Sequence, residues 1–301
     1  MTATTAEREA TAAGVDVVGS VAGFSTRLDD ERRAGRTVGV VLTMGALHRG
    51  HAALVARAAA ECDVVAVTVF VNPTQFAESA DLSNYPRSPG ADVDVAAAAG
   101  ASVVFAPSVD EMYPGWPAPP ATTVSVHGLT ERWEGVSRPG HFDGVATVVV
   151  KLLSAAGRCR TYFGEKDFQQ LAVVRRAVAD LSLPVTVVGC PTVREQDGLA
   201  LSSRNLRLAA DERAAAPVLH RSLRAGAAAL AAGGDREAVE RAVAETVATE
   251  RRVVLDYAAL VDARDLEPPD DLSSDRPLRL LVAANVGPVR LIDNLDPRRV
   301  R

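Results

Sequence analysis

Five short apolar runs recur through the first 190 residues, and their spacing constrains the fold more than any other feature. They are "TVGVVLT" (37–43), "DVVAVTVFV" (63–71), "ASVVFAP", "CRTYF" and "PVTVVG". The first is rich in β-branched residues, and the runs carry apolar residues on both faces. A strand that is apolar on both faces must be covered on both, which parallel sheets achieve through crossover helices. The segments between the runs read as those helices. "HAALVARAAAEC" places Ala52, Val55, Ala59 and Cys62 on one stripe, and a second helix is expected near 89–99. "GVATVVVKLLSAAG" and "DFQQLAVVRRAVADL" supply two more, the last with Phe168, Leu171, Val174, Val178 and Leu181 on its buried face. Residues 1–15 read as a tail, followed by a surface helix in "SVAGFSTRLDDERRAG" that closes at Gly35. The prolines of "PSVDEMYPGWPAPPATT" make that stretch a loop excursion.

Beyond "PTVREQDGLALSSRN" the order changes. Two Ala-rich helices (about 209–233 and 235–251) precede three strand-like runs, "VVLDYAALV", "LRLLVAAN" and "PVRLIDN". The expected architecture is therefore α/β. A Rossmann-like parallel sheet covered by helices occupies residues 1–190, and a smaller C-terminal α+β domain, 191–301, acts as a lid.

Composition narrows the function. A formal net charge of −5 with no concentrated basic run disfavours a nucleic-acid partner. Cys62, Cys159 and Cys190 are scattered without a CxxC, which argues for a reducing compartment and against a thiolate metal site. With neither a signal-peptide core nor a membrane-length apolar run, the expectation is a cytoplasmic protein with no membrane partner. Of the 33 basic side chains only Lys151 and Lys166 are lysines, so these are positions where a compact ammonium serves better than a planar guanidinium.

Ligands of open parallel sheets bind where strands end and helix N-termini begin. "TMGALHRGH" (43–51) stands at such a place, with Gly45 and Gly50 permitting close backbone approach and His48 and His51 flanking the helix start. Three readings compete there: a metal pair, a phosphate-binding turn, or two polar loop residues. The metal reading is the weakest, because His127, His141 and His220 offer no third ligand at suggestive spacing. "YFGEKDFQQL" (162–171) repeats the strand–glycine–helix arrangement, with Lys166 before a helix and Asp167 and Gln170 matching a D-x-x-Q capping box. "GLALSSRN" (198–205) offers Ser202, Ser203 and Arg204 as a phosphate clamp, and "FVNPTQF" (70–76) offers Gln75 to a small polar substrate. None of these segments pairs a nucleophile with a base. A set of His, Lys, Ser and Arg of this kind suits electrostatic stabilisation of phosphoryl or nucleotidyl transfer.

"TMGALHRGH", "FVNPTQF", "YPRS", "RPGHFDGV", "YFGEKDFQQL" and "PTVREQDGLALSSRN" together resemble the pantoate–β-alanine ligase family over roughly residues 37–207. The C-terminal domain resembles that family more loosely. H-x-G-H also relates the chain to the HIGH-type nucleotidyltransferases, with "LSSRN" where relatives carry a KMSKS-type loop. The resemblance implies two steps, adenylation of pantoate by ATP and displacement of AMP by β-alanine, in a homodimer. It implies that His48, His51, Lys166, Ser202, Ser203 and Arg204 contact the ATP phosphates, and that Gln75, Gln170 and Met44 hold pantoate. It also implies that Met44, Gly45, Gly164, Asp167 and Leu201 line the ATP site. Mg²⁺ would be met by Asp92, although Ala91 stands where the family often has an adjacent acid. Leu42 replaces a usual Pro and Leu201 a usual Met. His141 matches the family's "GHF" segment, as a site residue or as a structural one. The alternatives are another HIGH-type nucleotidyltransferase, which has no need of "NPTQF", and a non-catalytic nucleotide-binding module.

Overall fold

The computed structural model describes residues 14–76, 82–83, 85–272 and 275–299. By contact the chain forms two compact units. The first runs to Gly164 and resumes with Val173–Cys190, and the second takes Glu165–Ala172 and everything from Pro191 on. Lys166, Asp167 and Gln170 therefore group with the second unit, not with the first 190 residues as the sequence reading had them.

The first unit is built on a six-stranded parallel sheet. Its strands are β1 (Asp16–Val18), β2 (Val38–Thr43), β3 (Val64–Val69), β4 (Val103–Phe105), β5 (Cys159–Gly164) and β6 (Val185–Cys190), in the order β1-β4-β3-β2-β5-β6. The chain steps outward from β2 to β3 and β4, then returns to place β5 on the other side of β2. The switch point thus falls between β2 and β5, with Val40 opposite Thr161. Crossovers are made by α1 (Val21–Arg33), α2 (Arg49–Glu61), α3 (Pro89–Ala98), α4 (His141–Ala156) and α5 (Phe168–Asp180). The apolar runs became strands because Val40, Val41, Ala66, Val67, Val103 and Val104 are fully enclosed, as a two-sided covering demands.

Some local expectations fail for identifiable reasons. On α2, Ala58 rather than Ala59 joins Val55 and Cys62 in the core. The helix lies so close to β2 that a Cβ on Gly39 would stand 3.2 Å from Cys62 Sγ and 3.3 Å from Ala58 Cβ. Leu181 is exposed, because α5 ends at Asp180 and Ser182 turns the chain with φ +51°. The edge strand β1 was not foreseen, and the proline-rich excursion contains one helical turn, Val109–Met112. β6 is only half-buried, since it is the sheet's other edge.

The second unit carries an antiparallel sheet, β7 (Val253–Asp262), β8 (Leu278–Val286) and β9 (Val289–Leu295), in that order. α6 (Val218–Ala231) and α7 (Arg236–Ala248) pack on it through Leu219, Leu223, Val239 and Val243, against Leu260, Leu280 and Val282. The single helix expected at about 209–233 is broken. A short helix, Ala210–Ala215, stops before Pro217, which cannot donate an N–H to a continuing helix.

Candidate active site

In the first unit the turn after β2 is held from three directions. Thr43 Oγ1 donates to Thr68 O (2.6 Å) and accepts from Gly45 N (3.1 Å). Gly45 and Ala46 both have positive φ, +84° and +51°, a conformation that costs a residue with a Cβ about 1–2 kcal/mol. The strain is offset by Asp92, which is 2% exposed on α3. Its carboxylate accepts from Ala46 N (3.1 Å) and Leu47 N (2.7 Å). A Cβ on Gly45 would come within 2.9 Å of Asp92 Oδ2, so glycine is required both by φ and by space.

His48 then caps α2. Its Nδ1 accepts from Gly50 N (3.0 Å), while His51 Nδ1 accepts from His48 N (3.3 Å), a reciprocal capping box made by two imidazoles. The rings stack with centroids 4.1 Å apart. An imidazole whose Nδ1 accepts carries its proton on Nε2. Both histidines therefore carry their proton on Nε2 at a helix N-terminus, where the peptide dipoles already favour an anion.

A buried amide network lies beside this turn. Gln75 Nε2 donates to Met44 Sδ (2.9 Å), and Gln75 Oε1 accepts from Asn72 Nδ2 (3.1 Å). Asn72 also donates to Gly144 O and accepts from Tyr113 Oη–H (2.9 Å). Tyr113 is buried, which pushes its phenol above the usual range, so it remains a donor through any physiological pH. Gln75 is thereby oriented with its NH₂ toward Met44. The first turn of α4 packs directly on residues 73–75, where a Cβ on Gly144 would lie 2.4 Å from Thr74 O. His141 Nδ1 meets Gln75 O (3.0 Å), so it must donate, and its Nε2 stands 2.9 Å from Arg138 Nη1. His141 thus pins the Gln75 backbone and has a structural task.

In the second unit, Lys166 sits in a 3₁₀ turn, Glu165–Asp167, that leads into α5. Its side chain is only 17% exposed, with Nζ 3.2 Å from Asp167 Oδ1. Gln170 is half-buried on the first turn of α5, and Gln169 beside it is buried. Glu165 is paired with Arg279 (2.9 Å), whose guanidinium also lies 4.2 Å over the Phe168 ring. Burial lowers the Arg279 pKa and Glu165 opposes that shift. The 198–205 loop is half-buried from Leu201 to Asn205. Ser202 Oγ accepts from Arg204 N (3.2 Å) and caps a 3₁₀ turn, while Asn205 Nδ2 ties back to Ala200 O (3.0 Å).

The structure thus brings together Met44, Gly45, His48, His51 and Asp92, with Gln75 on Met44, and Gly164 ends β5 in the same unit. Lys166, Asp167 and Gln170 share the second unit with Leu201, Ser202, Ser203 and Arg204. Asp92 does not suit the magnesium task that the resemblance implies: its carboxylate is enclosed and committed to two backbone N–H groups. Among the described residues no group of three or more His, Cys, Asp or Glu is placed to hold a metal. Sequence reasoning missed Asn72, Tyr113, Arg279 and Asn294. Asn72 stood inside a quoted motif, "FVNPTQF", whereas the other three lie in runs with no local signal.

A parallel sheet with its switch point at β2/β5, and a helix beyond β2 capped by the paired histidines of H-x-G-H, defines a Rossmann-like α/β protein. The pantoate-beta-alanine ligase family model matches residues 16–296, and the chain belongs to that family. Pantothenate synthetase of Cereibacter sphaeroides is 51% identical over 287 residues, covering 93% of this chain and 98% of the relative. That of Rubrobacter xylanophilus is 52% identical over 269 residues, covering 87% and 92%. The crystal structure of pantothenate synthetase from Thermus thermophilus superposes with a TM-score of 0.85 at 47% identity, covering 93% of this chain and 99% of that one. Pantoate-beta-alanine ligase from Francisella tularensis, solved with beta-gamma ATP and beta-alanine, gives 0.76 at 31% identity, covering 95% and 99%.

Proposed function

We propose that this chain condenses pantoate with β-alanine at the expense of ATP, giving pantothenate, AMP and pyrophosphate through a pantoyl-adenylate intermediate. The pantoate carboxylate attacks the α-phosphorus and pyrophosphate departs. The β-alanine amine then attacks the acyl carbon, the C–N bond forms as the acyl C–O bond breaks, and AMP leaves. A carboxylate with an ordinary pKa of about 4 is already ionised at neutral pH, so the first step needs no base. It needs neutralisation of charge where two anions meet. The observation that carries the reading is the pair of stacked histidines that cap α2, each with Nδ1 accepting a backbone N–H, at a helix N-terminus where the peptide dipoles favour an anion.

In this reading His48, His51, Lys166, Ser202, Ser203 and Arg204 bind the triphosphate and the charge that develops on it. Met44, Gln75 and Gln170 hold pantoate. Gly45, Gly164, Asp167 and Leu201 complete the nucleotide site, and the second unit serves as a lid that keeps water from the adenylate. Mg²⁺ would enter with ATP, kept by phosphate oxygens and water rather than by a protein cage. The reaction is assigned to the cytoplasm and to a homodimer. No helix among the described residues is long and apolar enough to cross a membrane. The test is ATP–pyrophosphate exchange with pantoate and Mg²⁺ in the absence of β-alanine. Pantoate-dependent exchange supports adenylation. ATP binding without exchange would turn the reading toward a non-catalytic nucleotide-binding module.

A further inference from the structure

The end of β9 is chemically out of keeping with the rest of the strand. Val289, Leu291 and Leu295 are buried apolar residues, yet Asp293 and Asn294 between them are equally buried, each 3% exposed, and polar. Burying such groups is costly unless every one is hydrogen-bonded, and a fully satisfied network is rigid. Asn294 Nδ2 donates to the carbonyls of Glu165 (3.0 Å) and Lys166 (2.8 Å), and its Oδ1 accepts from Arg279 Nε (2.6 Å). Arg279 in turn holds the Glu165 carboxylate. The Asp293 carboxylate takes both Arg194 Nη1 (2.6 Å) and Nη2 (2.9 Å). Arg194 Nη1 also donates to Gly198 O (3.0 Å), at the root of the loop that carries Ser202, Ser203 and Arg204.

We propose that Asn294 is a positioning residue for Lys166: one carboxamide grips two consecutive carbonyls, so the Lys166 backbone cannot shift or rotate while its ammonium meets a phosphate. This rests on the phosphate-binding role given to Lys166 above. The two-carbonyl grip fixes both the place and the direction of the segment. A displacement of about 1 Å at a reacting centre can cost about a hundredfold in rate. Arg279 supports Asn294 from its oxygen side. Asp293 gives the 198–205 loop a fixed attachment on the same strand end, so the two phosphate-handling segments share one foundation.

A double-mutant cycle in pantoate-dependent ATP–pyrophosphate exchange tests this on the full-length protein. Lys166→Ala should lower exchange by about a hundred- to a thousandfold. Asn294→Ala should lower it by about ten- to fiftyfold, in kcat and in the KM for ATP, with the KM for pantoate within about twofold of the parent. The double variant should match Lys166→Ala within about threefold, because a residue that acts through Lys166 has nothing left to position. Multiplication of the two effects would overturn the proposal, as would an Asn294→Ala variant that keeps a third or more of the parent rate. Where Asn294→Ala fails to fold, Asn294→Leu replaces it: the volume is kept, the donor to the two carbonyls is lost, and the same non-additivity is expected. An inert Lys166→Ala would show, before the cycle closes, that the phosphate role itself is wrong, and the proposal falls with it.

Discussion

The turn that carries His48 and the turn that carries Lys166 both bring positive character to the start of a helix, but they are secured in opposite ways. His48 and His51 are fixed by bonds spanning two and three residues, with Asp92 as a distant support of the turn before them. Lys166 depends on Asn294, 128 residues further along, and on Arg279, which reaches Glu165 across 114. The first arrangement is written where it acts. The second exists only once a separate antiparallel sheet has formed. The first turn has strong local determinants, whereas the geometry of the second is set by tertiary structure.

Several substitutions would break or sharpen that contrast. The largest effect is expected from Lys166→Arg, which keeps the charge but not the compact ammonium. Exchange should fall by about a hundredfold or more while the thermal midpoint stays within a degree or two; near-parental exchange would mean that any cation suffices there. Next comes His48→Asn, since asparagine is a good helix cap but lacks the Nε2–H. Activity should drop by about a hundredfold with little loss of stability, whereas His48→Ala should lose the cap as well, about 1 kcal/mol by denaturant unfolding. Equal stability of the two variants would show that the capping bond contributes nothing.

Asp92→Asn probes the distant support of the histidine turn. An amide there cannot accept with both ends, so one buried backbone N–H is left facing a donor. The expected cost is about 1–3 kcal/mol in chemical denaturation, and the exchange rate should fall with it. Tyr113→Phe is milder. Asn72 loses one donor, so the KM for pantoate should rise by about three- to tenfold in steady-state assays, with kcat and the KM for ATP little changed. A change confined to kcat would contradict the placement of Gln75 in the pantoate site.

The smallest effect concerns His220 in the second unit. Burial is the chief cause holding its pKa below 6.5, and the nearby Arg194 adds to it. The folded state therefore prefers the neutral ring, while the unfolded chain takes up a proton near pH 6.5. This contribution to stability is complete above pH 6.5 and is lost as the pH falls through the lower, folded value. Unfolding midpoints followed from pH 7.5 to 5 should decline less steeply in His220→Gln than in the parent; parallel curves would remove His220 from the account.

How much was legible follows the same division. The β2, β3 and β5 strands could be read because runs such as "TVGVVL" are apolar on both faces, and that pattern has few other uses. β1 could not, for "DVV" is three residues long and acquires its meaning only by pairing with Val103–Phe105. Pro217 stood in plain view inside an Ala-rich stretch whose overall helical period concealed the break. In the site, H-x-G-H and "NPTQF" were visible because their residues contact one another locally. The tautomers of His48, His51 and His141 were not, since they follow from which atoms accept and donate. Asp92 was noticed, but a buried carboxylate gripping backbone N–H groups looks no different in sequence from one awaiting a cation. Nothing in "VRLIDNL" announces a partner 128 residues upstream.

The grip of β9 on the Glu165–Lys166 backbone also has a consequence for synthesis. The ribosome releases Lys166 long before it makes Asn294. A nascent chain can complete every strand of the parallel sheet and form its histidine cap while the Lys166 backbone still lacks the carboxamide that holds it. Until β9 emerges, the growing polypeptide can hold the histidine turn but not the grip on Lys166, so on the proposed reading its chemistry is withheld from its own unfinished copies.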